Sequence, residues 1–587
     1  MRSSSSSAPF FHHRSPVSES LPPSLSSVLA RPAAAARAAR AAAPAAEGFA
    51  ACHSSQVNYN GVGIRIDGGP AAADMDRFMG DLEASLSRTL ADDAKRERFV
   101  SALLSAGSYR SETAVVEDLN TYILQLGSYN FSNESHVYGT AVPYGYARLD
   151  AFGRIYNRVL EHVLDPAALR AAVDGVLSPD EADAMLGSLP DVLSAEDRKG
   201  IIQKLMSLED EADLRQLRDI VFNSPNAPVS YPFLWDIPQH DYVQWNGIGG
   251  NAGVGPIGRN AGEVIGVFGT LDWVEKPGWS FASVVTGQGF ESKHVSFTSS
   301  VDVQNLRKIE DRLWSLTSPS WAEAAQRELL PSLDTARMAR GAELYTEHCE
   351  ACHAVIDSRD PDRRIVARMD RLGVAGTDRR MANNSVQYDG FSGILRNQYV
   401  TLDAGSLLLQ AEAPVAALLT KATQSVVATP DPDKWFFTRF ADWALTLAKA
   451  FASNEIKPSL KAGSYTPDTP VRPLNSLLAY KGRPLNGIWA TAPYLHNGSV
   501  PTLYDLLLPA TARENDPDDM AYRPQTFMVG SRELDVEKVG FKHGVSEYDG
   551  FLFDTTTPSN SNGGHDYGTR MLTPDERMDL VEFLKSL

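Results

Sequence analysis

The sequence predicts a mainly α fold with long irregular loops and few short strands. Three observations lead there. Apolar residues recur at helical spacing in several windows, the last fifteen residues carry a full helix-start signal, and strand-like alternation is sparse. With 587 residues and 43% hydrophobic content, the chain is long enough for about three domains with real cores. Composition shifts suggest boundaries at a leader (1–47), an N-terminal unit (48–330) and a C-terminal unit (331–587).

The elements follow in order. The leader holds Arg2, Arg14, Arg31, Arg37 and Arg40, no Lys, much Ser and Ala, and only Glu19 and Glu47 as acids. That composition reads either as an organelle transit segment or as low-complexity sequence. Asp74–Leu104 has Phe78, Leu82, Leu86 and Leu90 at intervals of four, which predicts a helix with these on one stripe. Asp180–Phe222 reads as further helix. Ser224–Gln239 is Pro-rich and predicts an irregular connection. Trp245–Gly269 is Gly-rich, either a loop wrapped closely about a flat ligand or an ordinary flexible one. Thr335–Glu347 is a helical lead-in to "CEACH". Pro-rich linkers at Thr429–Lys434 and Tyr465–Pro473 interrupt the C-terminal unit. In Thr573–Leu587, Thr573 is an N-cap, Pro574 suits the first turn, and Glu576 completes a capping box ahead of Leu580, Phe583, Leu584 and Leu587.

Charge and cysteine count remove whole classes of function. A net charge of -18 argues against nucleic acid or an anionic membrane surface as partner. No run of 18 apolar residues exists to form a spanning helix. The three cysteines, Cys52, Cys349 and Cys352, cannot make a disulfide scaffold and are too few for a four-cysteine iron–sulfur cluster.

"CEACH" places Cys349, Cys352 and His353 as two thiols three apart followed by an imidazole. Such thiols can add to the two vinyl groups of one haem, with the histidine beneath the iron, which is the c-type attachment signature. A redox CxxC expects a βαβ context and a zinc site needs two further ligands, and neither is apparent. Gly341 and Tyr345 on the preceding helix suit a close crossing with the C-terminal helix, the cytochrome c arrangement. Downstream, His496, His543 and His565 are the histidines available as a second axial ligand.

Taken together, "AACHSSQVNYNGVGIRIDGGP", "PFLWDIPQHDYVQWNG", "RNAGEVIGVFG", "CEACH", "KGRPLNGIWATAPYLHNGSVPTLYDLL" and "GHDYGTRMLTPDERMDLVEFLKSL" resemble the dihaem cytochrome c peroxidase superfamily, in its rubber-oxygenase and fatty-acid dioxygenase-like branch. "GIWATAPYLHNGSVPTL" is the narrowest of these motifs. The resemblance implies two cytochrome c-like haem domains with unequal jobs and two haem c groups with their iron. His53 would be the proximal ligand of a reactive N-terminal haem. The C-terminal haem, on Cys349 and Cys352, would have His353 and His565 as axial ligands and would transfer or store electrons. Trp245 would stand between the haems, Glu263 would be the catalytic acid–base group, and His496 would orient a propionate or pack structurally. The implied activity is haem-dependent activation of dioxygen or peroxide, with an unsaturated lipid as candidate substrate; the alternatives are a cytochrome c peroxidase and a non-enzymatic electron carrier. A redox partner protein is a further expectation.

The first haem segment departs from the family pattern. It reads Phe-Ala-Ala-Cys-His, with Phe49 where the first cysteine of CxxCH belongs. A haem held by one thioether at Cys52 would account for it, as would a seam in the gene where the leader meets the family-like sequence. Haem attachment to reduced thiols takes place in the periplasm or an equivalent organelle compartment, which sets the expected location.

Overall fold

The computed structural model describes residues 52–587 except 134–141, 188, 191–192, 209, 268, 280–292, 430–435 and 545–549. The leader and Phe49 lie outside the described residues. The described residues are mixed rather than mainly α: 45% helical and 15% strand, with no closed sheet among them. The strands escaped the sequence reading because they run from two to seven residues and pair mostly in twos. Alternation over two to four residues carries almost no signal. Among the described residues, no helix is long and apolar enough to cross a membrane.

The first element is a hairpin of β1 (Ser54–Tyr59) and β2 (Val62–Asp67). Asn60 and Gly61 both take positive φ (49° and 77°), the left-handed pair that a two-residue turn requires. Val57 pairs with Ile64, and both are buried with Ile66 against Trp235, Trp321, Trp489 and the C-terminal helix. Beyond it, the predicted helix over Asp74–Leu104 is two helices, α1 (Met75–Ala91) and α2 (Asp93–Ser105). Asp92 ends the first and caps the second by accepting from the Lys95 N–H. Phe78, on the predicted stripe, is 55% exposed, and Met79 beside it is the buried residue.

Helix α3 (Glu112–Asn133) packs on α1 and on α4 (Ala151–Val163). Asp180–Phe222 holds three helices, Pro179–Leu186, Ala195–Met206 and Glu211–Val221, around the same core. The Gly-rich Trp245–Gly269 segment contains α5 (Gly255–Gly266) rather than loop alone. Glycine is there for contact: a Cβ at Gly266 would lie 2.6 Å from Ile155 on α4. Helix α6 (Thr335–His348) crosses the last helix, α8 (Pro574–Ser586), and α7 (Val415–Val427) lies against α5. A three-stranded sheet, with β3 (Arg368–Arg371) between β4 (Ala462–Ser464) and β5 (Ala479–Gly482), completes the frame around the candidate site.

Candidate haem sites

The "CEACH" segment is held by backbone geometry before any cofactor is considered. Asp334 caps α6 by accepting from the Ala336 and Arg337 N–H groups, and the helix ends at Cys349. The Cys352 and His353 N–H groups both donate to the Cys349 carbonyl, at 3.0 and 2.9 Å, which closes a tight turn. The Tyr345 hydroxyl donates to the His353 carbonyl at 2.6 Å. Gly341 lies at the crossing with α8, where a Cβ would sit 2.0 Å from the Asp579 carbonyl oxygen. Arg340 and Arg337 bind the Asp579 carboxylate at 2.6–3.1 Å and lock the crossing.

His353 Nδ1 lies 2.7 Å from the Arg483 carbonyl, so it is the donor and Nε2 is left for a metal. Across from it stands His565, presented with φ 56° from a loop whose backbone N–H donates to the Ala375 carbonyl. The two ring centroids are 6.0 Å apart. Metal–imidazole bonds of about 2 Å on each side would place two trans imidazoles with centroids roughly 6 Å apart. The pair therefore fits an iron between them. Burial lowers the pKa of both rings, that of His565 to about 3 with His353 adding to the fall, so both are neutral as ligation requires. Burial also pushes the Cys349 thiol up to about 12, with Cys352 adding, and raises Cys352, whose Sγ lies 3.3 Å from Asp370. Among the described residues, no group of three or more His, Cys, Asp or Glu forms a protein-only metal cage. Haem iron needs only axial ligands from the chain.

The N-terminal candidates converge on one cavity of about 700 Å³, within the usual 300–1,000 Å³ of cofactor sites. Cys52, His53, Trp245 and Glu263 all line it. The hairpin aims the first two: Gly68 N–H donates to the His53 carbonyl at 3.0 Å and Ala71 N–H to the Cys52 carbonyl at 2.9 Å. Burial lowers His53 to about 4, opposed by a hydrogen bond to the Pro232 backbone. Burial raises the Cys52 thiol to about 11, with Glu263 adding. Glu263, on α5, accepts from Gln244 Nε2 at 3.1 Å. Burial raises it to about 7, Arg259 opposing and Glu310 adding. Trp245 donates from Nε1 to the Ser230 carbonyl at 3.2 Å. Its ring centroid is 6.4 Å from that of His496, which in turn lies 4.2 Å from Tyr480. His496 is thus packed between two aromatic rings outside the cavity lining, while His543 packs against Phe527 and does not line the cavity.

Cys52, His53, Glu263 and His565 share a property that suits a bulky cofactor. Each is deep in the molecule yet keeps accessible surface, which for the cavity-lining residues is surface facing the void. The sequence reading missed three residues of the cavity wall: His240, Lys481 and Arg483. The two cations stand either side of Gly482 in "KGRPL", and nothing in that pattern distinguishes a buried cation from a solvated one.

Comparison with known proteins bears on this region directly. Residues 479–515 match the family model described as RoxA-like, cytochrome c-like. The match spans β5, Lys481, Arg483 and His496, and it supports a cytochrome-type oxidoreductase that uses haem c with its iron. The chain is 26% identical over 575 residues to the uncharacterized protein y4iJ of Sinorhizobium fredii, covering 92% of this chain and 76% of that protein. It is 37% identical over 95 residues to the uncharacterized protein y4iM of the same organism, covering 16% of this chain and 19% of that protein.

Proposed function

We propose that the protein is a dihaem c-type oxidoreductase of the peroxidase or dioxygenase kind, with a reactive haem in the Cys52–Glu263 cavity and an electron-transfer haem between His353 and His565. The observation that carries this is convergence. Cys52, His53, Trp245 and Glu263 span more than two hundred residues of sequence, yet they line one cofactor-sized cavity. Two neutral imidazoles elsewhere, His353 and His565, face each other with ring centroids 6.0 Å apart and would hold an iron between them.

Bound at the first site, haem supplies an iron able to activate dioxygen or peroxide. The chain's own residues do the rest. Cys52 would anchor the group by one thioether and His53 would hold the iron. The apolar part of the wall, including Ile248, Leu402 and Leu419, excludes water and suits an unsaturated lipid, into which both atoms of dioxygen would pass. Glu263 favours a second reading: a buried carboxyl with a pKa near 7 can give and take the protons of O–O cleavage. Reduction of hydrogen peroxide to two waters takes two protons and two electrons: Glu263 would hand on the protons, and the electrons would come one at a time by way of Trp245, the second site being refilled between them. A redox partner protein would recharge that haem, and maturation would take place in the periplasm or an equivalent organelle compartment.

The test is a haem count followed by product analysis. Pyridine haemochrome on matured protein should give two haems per chain. Electron paramagnetic resonance should show one high-spin and one low-spin ferric iron. Turnover of an unsaturated fatty acid under ¹⁸O₂ should place both labelled atoms in product if the enzyme is a dioxygenase. Peroxide consumption without such product selects the peroxidase reading. Two low-spin irons and no turnover would reduce the protein to an electron carrier.

A further inference from the structure

The N-terminal cavity contains two cations that the fold does not neutralise. Lys481 and Arg483 lie deep in the molecule but keep accessible surface, and both line the cavity. Lys481 Nζ donates to the Tyr242 carbonyl at 3.0 Å. Arg483 Nη2 donates to the Phe233 carbonyl at 3.3 Å, its guanidinium lies 3.2 Å over the Phe233 ring, and its Nε has no acceptor. Among the described residues, neither cation forms an ion pair. The carboxylates that act on them are engaged elsewhere. Asp236 holds Arg363 at 2.7 Å and accepts from Asn486 at 2.5 Å. Asp241 accepts from the Ala367 N–H at 2.7 Å and the Ser459 hydroxyl at 2.5 Å.

Lys461 also lines the cavity, where it donates to the Ser476 hydroxyl at 3.2 Å and where Asp468, Asp403 and Asp241 favour its charge. Beside Lys481 and Arg483 lies His240, 1% exposed, with no hydrogen-bond partner at either ring nitrogen among the described residues. Lys481, Arg483 and Arg363 all disfavour its protonation, so it is a neutral imidazole with one N–H to donate. Buried cations and a buried orphan donor are costly to keep unless something anionic reaches them.

We propose that Lys481 and Arg483, backed by His240, form a carboxylate-binding cradle for the propionates of the haem in this cavity. The proposal rests on the dihaem reading above. It also assigns Arg483 two duties, because its carbonyl holds His353 Nδ1 at the other site. The same cradle chemistry would suit the carboxylate of a free fatty acid, so the test must separate the two sources.

The experiment uses matured holoprotein and the variants Lys481→Met, Arg483→Gln and Arg483→Lys. Haems are counted by pyridine haemochrome, each is titrated for its midpoint potential, and oleate binding is measured in parallel. Losing a cation beside a haem favours the ferric state, so Lys481→Met and Arg483→Gln should each lower the potential of the Cys52 haem. Lys481→Met should leave the other haem where it was, and Arg483→Lys should follow the parent protein. Two haems with unmoved potentials in both Lys481→Met and Arg483→Gln would overturn the proposal. Unmoved potentials with weakened oleate binding would overturn it in favour of a fatty-acid head group. A parent protein that carries a single haem would instead bring down the dihaem reading on which the cradle depends. If Arg483→Gln fails to fold, Lys481→Met decides alone.

Discussion

Replacing Gly341 by Ala puts a methyl group where the backbone of α8 already is. The Cβ would lie 2.0 Å from the Asp579 carbonyl oxygen, 2.7 Å from its carbon and 2.8 Å from Phe583 Cβ. Ordinary contact begins near 3.4 Å, so α6 and α8 must part by about 1.4 Å. Two of the three obstacles are main-chain atoms, which cannot rotate away. Overpacking of this kind costs about 1–3 kcal/mol, and a backbone clash belongs at the upper end. Alanine's better helix propensity returns up to about 1 kcal/mol, leaving a net loss of about 2 kcal/mol. The crossing also carries Tyr345, whose hydroxyl donates to the His353 carbonyl, so displacement should reach His353. The assay is thermal unfolding of the matured protein, read together with its Soret band. Gly80→Ala is the control: it lies in α1 with nothing within 4 Å of its added Cβ. It should be neutral or stabilising by about 0.5–1 kcal/mol. If Gly341→Ala melts with the parent protein and leaves its spectrum unchanged, the close crossing is not what holds the C-terminal haem site.

If His353 and His565 hold a haem iron and Cys349 and Cys352 carry its attachment, His565→Ala should convert that haem from low to high spin with no change in haem count; unchanged electron paramagnetic resonance would refute the ligand assignment. Thr573→Ala deletes the capping box of α8, where Thr573 and Glu576 bond each other's N–H groups, and should cost about 1 kcal/mol in a denaturant titration. Glu263 gives a pH prediction. Its raised folded value means that the folded chain keeps a proton the unfolded chain releases above about 4.5. That protonation supports the fold at low pH, and the support is withdrawn as pH rises to about 7. Glu263→Gln should therefore gain stability relative to the parent between pH 5 and pH 8, by up to about 3 kcal/mol. A gap that stays constant with pH would show that Glu263 ionises normally.

Helix ends were the legible parts of the sequence. The α6 and α8 boundaries follow from Asp334 and Thr573, whose caps are local and need no tertiary partner. Gly341 was readable because a glycine beside CxxCH has few other uses. The same reading went astray where tertiary packing decides. The interval-four stripe from Phe78 implied one helix, but Asp92 breaks it and Phe78 faces out. The glycines of Gly255–Gly266 suggested loop, yet they mark a helix pressed against Ile155 and Thr423, where small size matters more than propensity. The hairpin that aims Cys52 and His53 was signalled by Asn60-Gly61 between β-branched residues, a short-range cue that the sparse strand count obscured.

The step from sequence to site fails most plainly at residues 479–483, and the reason is physical. Strand β5 is four residues long and sits between the two candidate haem sites. The Lys481 N–H donates to the Trp245 carbonyl at 2.8 Å, which ties the strand to the residue expected between the haems. Gly482 has no side chain because a Cβ there would lie 2.7 Å from the Cys352 carbonyl oxygen. Arg483 then gives its carbonyl to His353 and its guanidinium to the other cavity. Three consecutive residues thus touch both sites, each by a different group. None of these contacts has a period or a spacing, so no pattern in the chain could announce them. If two haems are bound, residues 481–483 form a covalent link between the two pockets. An Arg483 substitution that moved only one potential would show that the carbonyl and the guanidinium act independently.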